Sequence, residues 1–472
     1  MKKITDLNVE KKALPTKVIQ FGEGNFLRAF VDWQIQQMNN QNLFNGGVAI
    51  VQPIKQGMTK NLDAQNDLYT VVLEGLLEGQ KVQSNEIITA INSTVNPYED
   101  FAEYLALAEE DSIEVIFSNT TEAGISYDEN DKKDAQPAQS YPGKLTQLLY
   151  KRFELGKKGF HIIPCELINH NGDKLKEIIL QYADLWNLGT EFKQWLETDN
   201  HFYSTLVDRI VPGFPHENKE EVFERIGYED NMLVKAEAFL LFVIEGSQEL
   251  ANVLPLKEAG LNVIITDNMQ PYRERKVRLL NGPHTTMTPL GLLAGVETVR
   301  DVMEDPDFGK FIHDEMYQEI SPMIDLPKDE LAFYSEAIKE RFSNPFVRHE
   351  LTSIALNSIS KYKTRLLPGV IQNIEQTNQV PRRMTAALAA LFVIYGNFDG
   401  ITAQPIDGED VIEEFKALKN AEDYVAAVLS NTTFWDEDLT KYPELVQEVR
   451  QDVETILAKG SRSLVQEINA NS

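Results

Sequence analysis

Short apolar runs bounded by polar turns punctuate the first half of the chain. Lys17-Val18-Ile19-Gln20-Phe21 ends at Gly22, and Gly47-Val48-Ala49-Ile50-Val51 follows the turn pair Asn45-Gly46. Residues 68–73, the region around Ile87-Ile88, and residues 113–117 and 159–163 repeat the form; residues 261–266 close the series. β-Branched residues are frequent in these runs, and helical patterns separate them. Strands alternating with helices predict a parallel sheet built from βαβ units. The second half has another rhythm. Phe308, Ile312, Met316 and Ile320 recur at near-helical spacing, as do Leu445, Val449, Val453 and Ile456, and residues 384–395 read as a buried Ala/Leu-rich helix. The residue before a proline resists the helical region, so Asn268-Met269-Gln270-Pro271 marks a boundary. The expected architecture is an α/β domain over residues 1–267 followed by a mostly α-helical domain over 268–472. The polar stretch 128–142 reads as a surface loop.

The length of 472 residues suits two to four domains, and 42% hydrophobic with 25% charged residues is ordinary for a globular chain. Charge changes the picture more. Lys plus Arg total 45 against 73 Asp plus Glu, a net charge of -28. That argues against general nucleic-acid binding, which needs a basic face, and disfavours an anionic membrane surface. It leaves room for a local basic pocket. The single cysteine, Cys165, rules out an intramolecular disulfide and a Cys-rich zinc site. No apolar run approaches the roughly 18 residues of a membrane span, and no apolar stretch follows Lys2-Lys3 as a secretory signal requires. A soluble, cytoplasmic protein with no membrane partner is expected.

Residues 19–28, Ile19-Gln20-Phe21-Gly22-Glu23-Gly24-Asn25-Phe26-Leu27-Arg28, run from a strand into an apparent amphipathic helix marked by Phe26, Phe30 and Trp33. A Rossmann-like fold places its phosphate loop there: glycine permits a tight turn and close backbone approach, and the helix start offers free N–H groups. Leu27 occupies the third glycine position of the usual GxGxxG, so spacing alone leaves an ordinary strand–helix turn open. Arg28 is either a phosphate contact or a solvated surface residue. After the second strand Gln52 stands where an acidic residue usually grips a ribose, and Gln52 can bond either type of ribose. Ser118-Asn119-Thr120-Thr121-Glu122 follows another strand, where short polar residues either line a ligand crevice or cap the next element. Lys276, Asn281 and His284 lie in one segment; at about 100° per residue Lys276, Leu280 and His284 share a face, with Asn281 beside Leu280 and Pro283 a possible kink. They either converge on one carbonyl or sit unrelated on a solvated face. Asp208-Arg209 is an acid–base neighbour pair between apolar residues. Lys361 and Arg365, four apart, are local cations in an acidic chain. The seven histidines show no metal-ligand spacing, and no GxxxxGK[ST], GxSxG or HExxH motif occurs.

Taken together, the GxGxFxR loop at residues 22–28, Thr121-Glu122, Val207-Asp208-Arg209-Ile210 and the KxxxxNxxH pattern of Lys276, Asn281 and His284 resemble the mannitol dehydrogenase family of long-chain polyol and sugar-acid dehydrogenases. The likeness runs from about residue 17 to at least 368 and is nearest to the sugar-acid branch. It implies reversible, metal-independent hydride transfer between NAD(H) and a small hexuronate. It implies Lys276 as general acid and base, Asn281 as donor to the substrate oxygen, His284 as an orienting group and Asp208 as a pocket residue. It places the cofactor on residues 19–28 with Asn119 and Thr120. Lys361 is implied as a substrate ligand, and Arg365 is added here because it shares the helical face. Relatives typically carry Cys-Asp/Glu-Asn where this chain has Cys165-Glu166-Leu167, so Asn169 or Asn171 is a candidate replacement for the missing asparagine. Hydride transfer needs near contact, so the glycine loop and the Lys276 segment are expected to meet between the two domains. A second polyol or sugar-acid specificity is the alternative within the class. An inactive nucleotide-binding regulatory protein is the alternative outside it.

Overall fold

The computed structural model describes residues 1–121 and 123–471; Glu122, singled out with Thr121 above, lies outside them. The chain divides into two compact units, Met1–Glu74 with Lys81–Met269, and Gly75–Gln80 with Gln270–Ser472.

The first unit is built on a six-stranded sheet. Its order is Ile91–Val95, Gly47–Val51, Thr16–Phe21, Val115–Ser118, His161–Pro164, His201–Phe202, with every neighbouring pair parallel. In chain order that is 3-2-1-4-5-6, the doubly wound arrangement. Apolar residues fill both faces. Val18, Ile50 and Phe117 join one core cluster, while Ile19, Phe21 and Ile116 join the other. Burial of both faces explains why these strands read as continuous apolar runs. On the first face packs the helix that follows Thr16–Phe21. It runs as Asn25–Leu27, a π turn over Arg28–Asp32, then Trp33–Asn40, with Phe26 stacked on Phe30 at 4.9 Å. On the second face lie Tyr141–Glu154 and Asn171–Leu185. The Ser140 hydroxyl accepts the Gly143 N–H at 2.9 Å, and Pro142 occupies the first turn, so the helix starts inside the stretch expected to be loop.

Several strands were not legible in the sequence. Ile91–Val95 buries only Ile91 and Val95, too few apolar residues to stand out. Ser204–Asp208 carries three polar residues although all five are buried. It pairs antiparallel with Leu241–Glu245, which pairs parallel with Val263–Thr266. Leu241–Glu245 sits in an apolar run that periodicity cannot assign to strand or helix. Val234–Glu237 pairs with Tyr69–Leu77, whose other neighbour is Gln80–Ile88.

The second unit contains helices and no strand after Val263–Thr266 among the described residues, apart from the hairpin tip Gly75–Gln80. The Glu78 and Gly79 N–H groups of that tip donate to the Glu340 carboxylate. Arg382–Tyr395 is buried at every position but Arg382 and packs against Gly282–Leu293 and Pro443–Lys459. Leu445, Val449, Val453 and Ile456 form the inward stripe of Pro443–Lys459. Arg383 is buried with two carboxylates, Asp314 at 3.1 Å and Glu319 at 3.2 Å. Among the described residues no helix is long and apolar enough to cross a membrane, and no group of three or more His, Cys, Asp or Glu could hold a metal ion.

Candidate active site

The strand order reverses between Thr16–Phe21 and Val115–Ser118, and both chains leave the sheet there at their carboxyl ends. In open α/β sheets this point opens a ligand crevice. Gly22 donates its N–H to Val51 O at 3.0 Å, and Asn119 donates to Phe21 O at 3.1 Å. Gly22 has φ +120°, and a Cβ there would stand 3.1 Å from Asn119 O. Only glycine meets both demands. Gly24 caps the helix, and a Cβ on it would meet nothing within 4 Å. Backbone donors with open space above them suit a phosphate group.

Beneath the loop lies a buried polar network. Gln20 donates to Gly22 O at 3.1 Å and to Asp32 at 3.3 Å, while the Tyr69 hydroxyl donates to the same Asp32 oxygen at 2.9 Å. Burial pushes the Asp32 carboxyl up to about 7, against the Tyr69 and Gln20 hydrogen bonds and the nearby Arg28 charge. Arg28 fits neither reading offered by its sequence position. It is 2% exposed, and it donates to Glu23 O at 2.9 Å, to Asn25 Oδ1 at 2.9 Å and to Met232 O. It braces the loop from inside instead of facing a phosphate or solvent. Glu23 is also buried, accepting the Met58 N–H at 2.9 Å, and burial raises its carboxyl. Gln52 differs from its expected ribose role as well. Its amide donates to Ile54 O at 2.9 Å and accepts from the Thr59 hydroxyl at 2.7 Å. The cavity of about 530 Å³ beside it is lined in part by Lys55, Lys60 and Glu99, the last two an ion pair of 2.6 Å.

Across the switch point, Glu166 organises the loop that carries Asn119 and Thr120. Its carboxylate accepts from the Thr120 N–H at 2.9 Å, the Thr120 hydroxyl at 3.0 Å and the Ser118 hydroxyl at 3.1 Å. Asn119 donates to Cys165 O at 3.0 Å. The Cys165 thiol is buried and pushed well up, so it is packed and not nucleophilic. Asn171 is a correction. It is 0% exposed, its amide N–H groups reach Pro164 O, Glu166 O and the Thr205 hydroxyl, and its carbonyl accepts the Thr205 N–H at 2.8 Å. With its hydrogen-bonding capacity spent inside the fold, it does not replace the missing asparagine as a substrate ligand. Asn169 is exposed, and Leu167 is 63% exposed. Asp208 ends its strand buried, opposite Leu241. Its neighbour Arg209 donates to Ala29 O at 2.8 Å and to Glu237 O at 2.9 Å, with its guanidinium 4.5 Å from the Trp33 ring centre.

In the second unit, Lys276 ends the helix Gln270–Lys276 and leads into a π turn over Val277–Asn281. Gly282 donates to Val277 O, five residues back. The wider π turn rotates Asn281 closer to the face of Lys276 than ideal α-helical spacing would place it. Leu280 is buried in the core. Gly282–Leu293 then begins as an α-helix, with Pro283 in the first turn where its missing N–H costs nothing. Three residues on from Asn281 comes His284, on nearly the same face. The His284 ring stands 4.3 Å from Phe342 and 5.0 Å from His349, and its Nε2 is closed to solvent without a hydrogen-bond partner. Burial, then the positive charges of His349, Arg341, Arg365 and Lys361, holds its pKa well below the ordinary imidazole value. His284 is therefore neutral at physiological pH. Lys361 and Arg365 share the helix Ser358–Arg365 and are both half-buried. Arg365 reaches the Thr285 hydroxyl at 3.4 Å, and Lys361 donates to Ile354 O at 2.7 Å.

The family model for the mannitol dehydrogenase Rossmann domain matches residues 16–258, and that for the mannitol dehydrogenase C-terminal domain matches 268–457. The chain belongs to the mannitol dehydrogenase family. Its relatives include an altronate oxidoreductase of Bacteroides thetaiotaomicron, 46% identical over 99% of this chain and 100% of that one. Another altronate oxidoreductase, from Escherichia coli, is 44% identical over 96% of each chain. Among solved structures, a D-sorbitol dehydrogenase superposes with TM-score 0.81 at 22% identity, covering 96% of this chain and 95% of that one. The Pseudomonas fluorescens mannitol 2-dehydrogenase complex with NAD and D-mannitol gives 0.70 at 20% identity, with full coverage of both chains. These two structures share the family's fold. Among the sequence motifs, the glycine loop has a positive φ at Gly22 and the 276–284 segment contains a π turn.

Proposed function

We propose that this chain is an NAD-dependent oxidoreductase that interconverts D-tagaturonate and D-altronate in the cytoplasm. The observation that carries the reading is the near-full-length identity of 44–46% to altronate oxidoreductases. The residues of the first unit fit the dinucleotide: a glycine loop with open space at Gly24, and Asn119 and Thr120 held beside it by Glu166. When bound, NAD(H) supplies or accepts the hydride.

The chain's own residues manage the oxygen. In reduction Lys276 gives a proton to the ketone oxygen as it gains charge, and in oxidation it removes the proton from the hydroxyl. An ordinary lysine, pKa about 10.4, is a weak base near neutrality, and desolvation around a bound substrate moves it toward the working range. Asn281, one π turn on, donates a hydrogen bond to that oxygen. Neutral His284 offers one donor and one acceptor to a neighbouring hydroxyl. Asp208 lines the pocket. Lys361 and Arg365 supply positive charge for the carboxylate.

The test is NADH consumption followed by near-ultraviolet absorbance with tagaturonate, fructuronate and fructose offered in parallel. Highest kcat/KM on tagaturonate is the expected result. Preference for fructuronate or fructose reassigns the substrate, and no turnover of any of them removes the enzymatic reading.

A further inference from the structure

The cavity of about 530 Å³ beside Gln52 opens where the second and third strands of the parallel sheet, Gly47–Val51 and Ile91–Val95, end together. Their last residues lie side by side, since the Gln52 N–H donates to Val95 O at 2.9 Å. A sheet of this order receives the adenosine ribose there, and a carboxylate just after the second strand ordinarily binds the ribose hydroxyls and repels a 2′-phosphate. In this chain the groups near that position are spent. The Gln52 amide is taken up by Ile54 O, Lys55 O and the Thr59 hydroxyl. Glu23 accepts the Met58 N–H at 2.9 Å. Gly57 leaves no room for a side chain, because a Cβ would stand 2.3 Å from Glu23 Oε1 and 2.4 Å from Gln52 Cδ. Among the described residues that line the cavity, the one carboxylate is Glu99, from the loop after the third strand.

The backbone fixes where Glu99 stands. Its N–H donates to Asn96 O at 3.0 Å, and the next residue, Asp100, caps the helix Phe101–Ala106 by accepting the Glu103 N–H at 2.8 Å. The Glu99 carboxylate meets Lys60 Nζ at 2.6 Å, and Lys60 comes from the short helix Thr59–Asp63 on the other wall. Both side chains are more than half exposed, 73% for Lys60 and 55% for Glu99. An ion pair that open to water adds little stability, so either partner can exchange the other for a ligand at small cost. We propose that Glu99 is the residue by which this chain selects NAD over NADP, accepting the ribose hydroxyls in place of the missing strand-end acid, and that it holds Lys60 away from a 2′-phosphate. The inference rests on the NAD-dependent reading above. Hydroxyl donors to a carboxylate form charge-assisted hydrogen bonds. A 2′-phosphate instead meets like charge at Glu99 and has to break the ion pair to reach Lys60. Without the Glu99 charge, Lys60 and Lys55 face the cavity as cations, and the preference shifts toward the phosphate. Glu99 was not a candidate from the sequence, because it stands far beyond Gln52 in the chain and reaches the same cavity only through the pairing of the two strands.

The experiment measures dissociation constants for NADH and NADPH from nicotinamide fluorescence, without substrate and at constant ionic strength. It compares wild type, Glu99→Gln, Lys60→Gln and the double variant, and records the thermal midpoint of each. Wild type should bind NADH more tightly than NADPH. Loss of a hydrogen-bond acceptor of full charge should weaken NADH roughly tenfold in Glu99→Gln, and release of Lys60 should tighten NADPH by roughly the same factor. The double variant should keep the first change and lose the second. Lys60→Gln should leave NADH near wild type and weaken NADPH further. Midpoints should stay close to wild type in all three, as an exposed pair requires. An unchanged ratio of the two constants in Glu99→Gln overturns the proposal. So does an equal weakening of both dinucleotides with a lowered midpoint, which marks a structural role. A double variant that still gains affinity for NADPH overturns the part given to Lys60. Wild-type preference for NADPH, or binding of neither dinucleotide, overturns the cofactor reading and the proposal together; wild-type preference for NADH with indifferent variants overturns the proposal alone.

Discussion

At the scale of single residues, roles divide by whether hydrogen-bonding capacity is already spent. Arg28, Gln52 and Asn171 look like ligand-facing residues in the sequence, yet each is buried with its polar atoms committed to neighbouring backbone. Asn171→Ala should therefore act on stability. Removing an amide with several buried partners costs about 1–3 kcal/mol, read as a lowered urea midpoint, while KM in the surviving fold stays near wild type. A raised KM with unchanged stability would return Asn171 to the substrate site. Lys276 and Asn281 make the opposite prediction. Lys276→Ala should abolish nearly all turnover while NADH binding, followed by fluorescence titration, persists. Asn281→Ala should lower kcat roughly 100- to 1,000-fold, as loss of an oxyanion donor does. Near-normal turnover of the lysine variant at neutral pH refutes its acid–base role.

At the scale of elements, the helix after the glycine loop and the helix carrying Lys276 each contain a π turn, over Arg28–Asp32 and Val277–Asn281. The extra residue in each turn shifts the phase of everything after it. In the first helix the turn ends at Asp32, whose carboxyl burial raises to about 7 from the usual 3.8. The folded state therefore keeps a proton that the unfolded chain releases near pH 4. That contribution to stability is complete below about pH 4 and is lost as pH rises to about 7. Asp32→Asn carries no proton to lose. The free energy of unfolding of wild type minus Asp32→Asn, from urea titrations between pH 4 and 8, should fall with pH at up to about 1.4 kcal/mol per unit, then flatten above pH 7. A flat difference across that range would mean that Asp32 is ionised throughout. Because Gln20 bridges Asp32 to Gly22 O, the same titration reaches the glycine loop.

At the scale of the whole molecule, a net charge of -28 repels both a uronate and a dinucleotide. The cations proposed to receive the substrate would act at contact, whereas the global field acts over distances that salt screens. Raising sodium chloride from about 10 mM to about 150 mM shortens the screening length from roughly 30 Å to roughly 8 Å. At saturating NADH, kcat/KM for tagaturonate should rise across that range and the value for fructose should stay level. A fall for tagaturonate would show that the local cations govern the encounter, and equal responses for both sugars would remove charge from the account.

The sequence alone determined what depends on near neighbours along the chain. Runs of Val and Ile announce buried strands such as Gly47–Val51, because a parallel sheet buries both faces and leaves no polar alternation. The glycine loop and the Lys276, Asn281, His284 spacing are equally local, and they carry the family resemblance. Strands of mixed composition such as Ser204–Asp208 were hidden, because their polar side chains are buried by segments far away in the chain. Tertiary structure alone decided which polar groups remain available. Arg28 meets Met232 and Asn171 meets Thr205, partners 204 and 34 residues distant. It also decided the surroundings of His284, whose ring meets those of Phe342 and His349 only when segments 58 and 65 residues away pack against it. Periodicity reports which face of an element is apolar; it carries no record of which distant donor, acceptor or charge that packing brings to it.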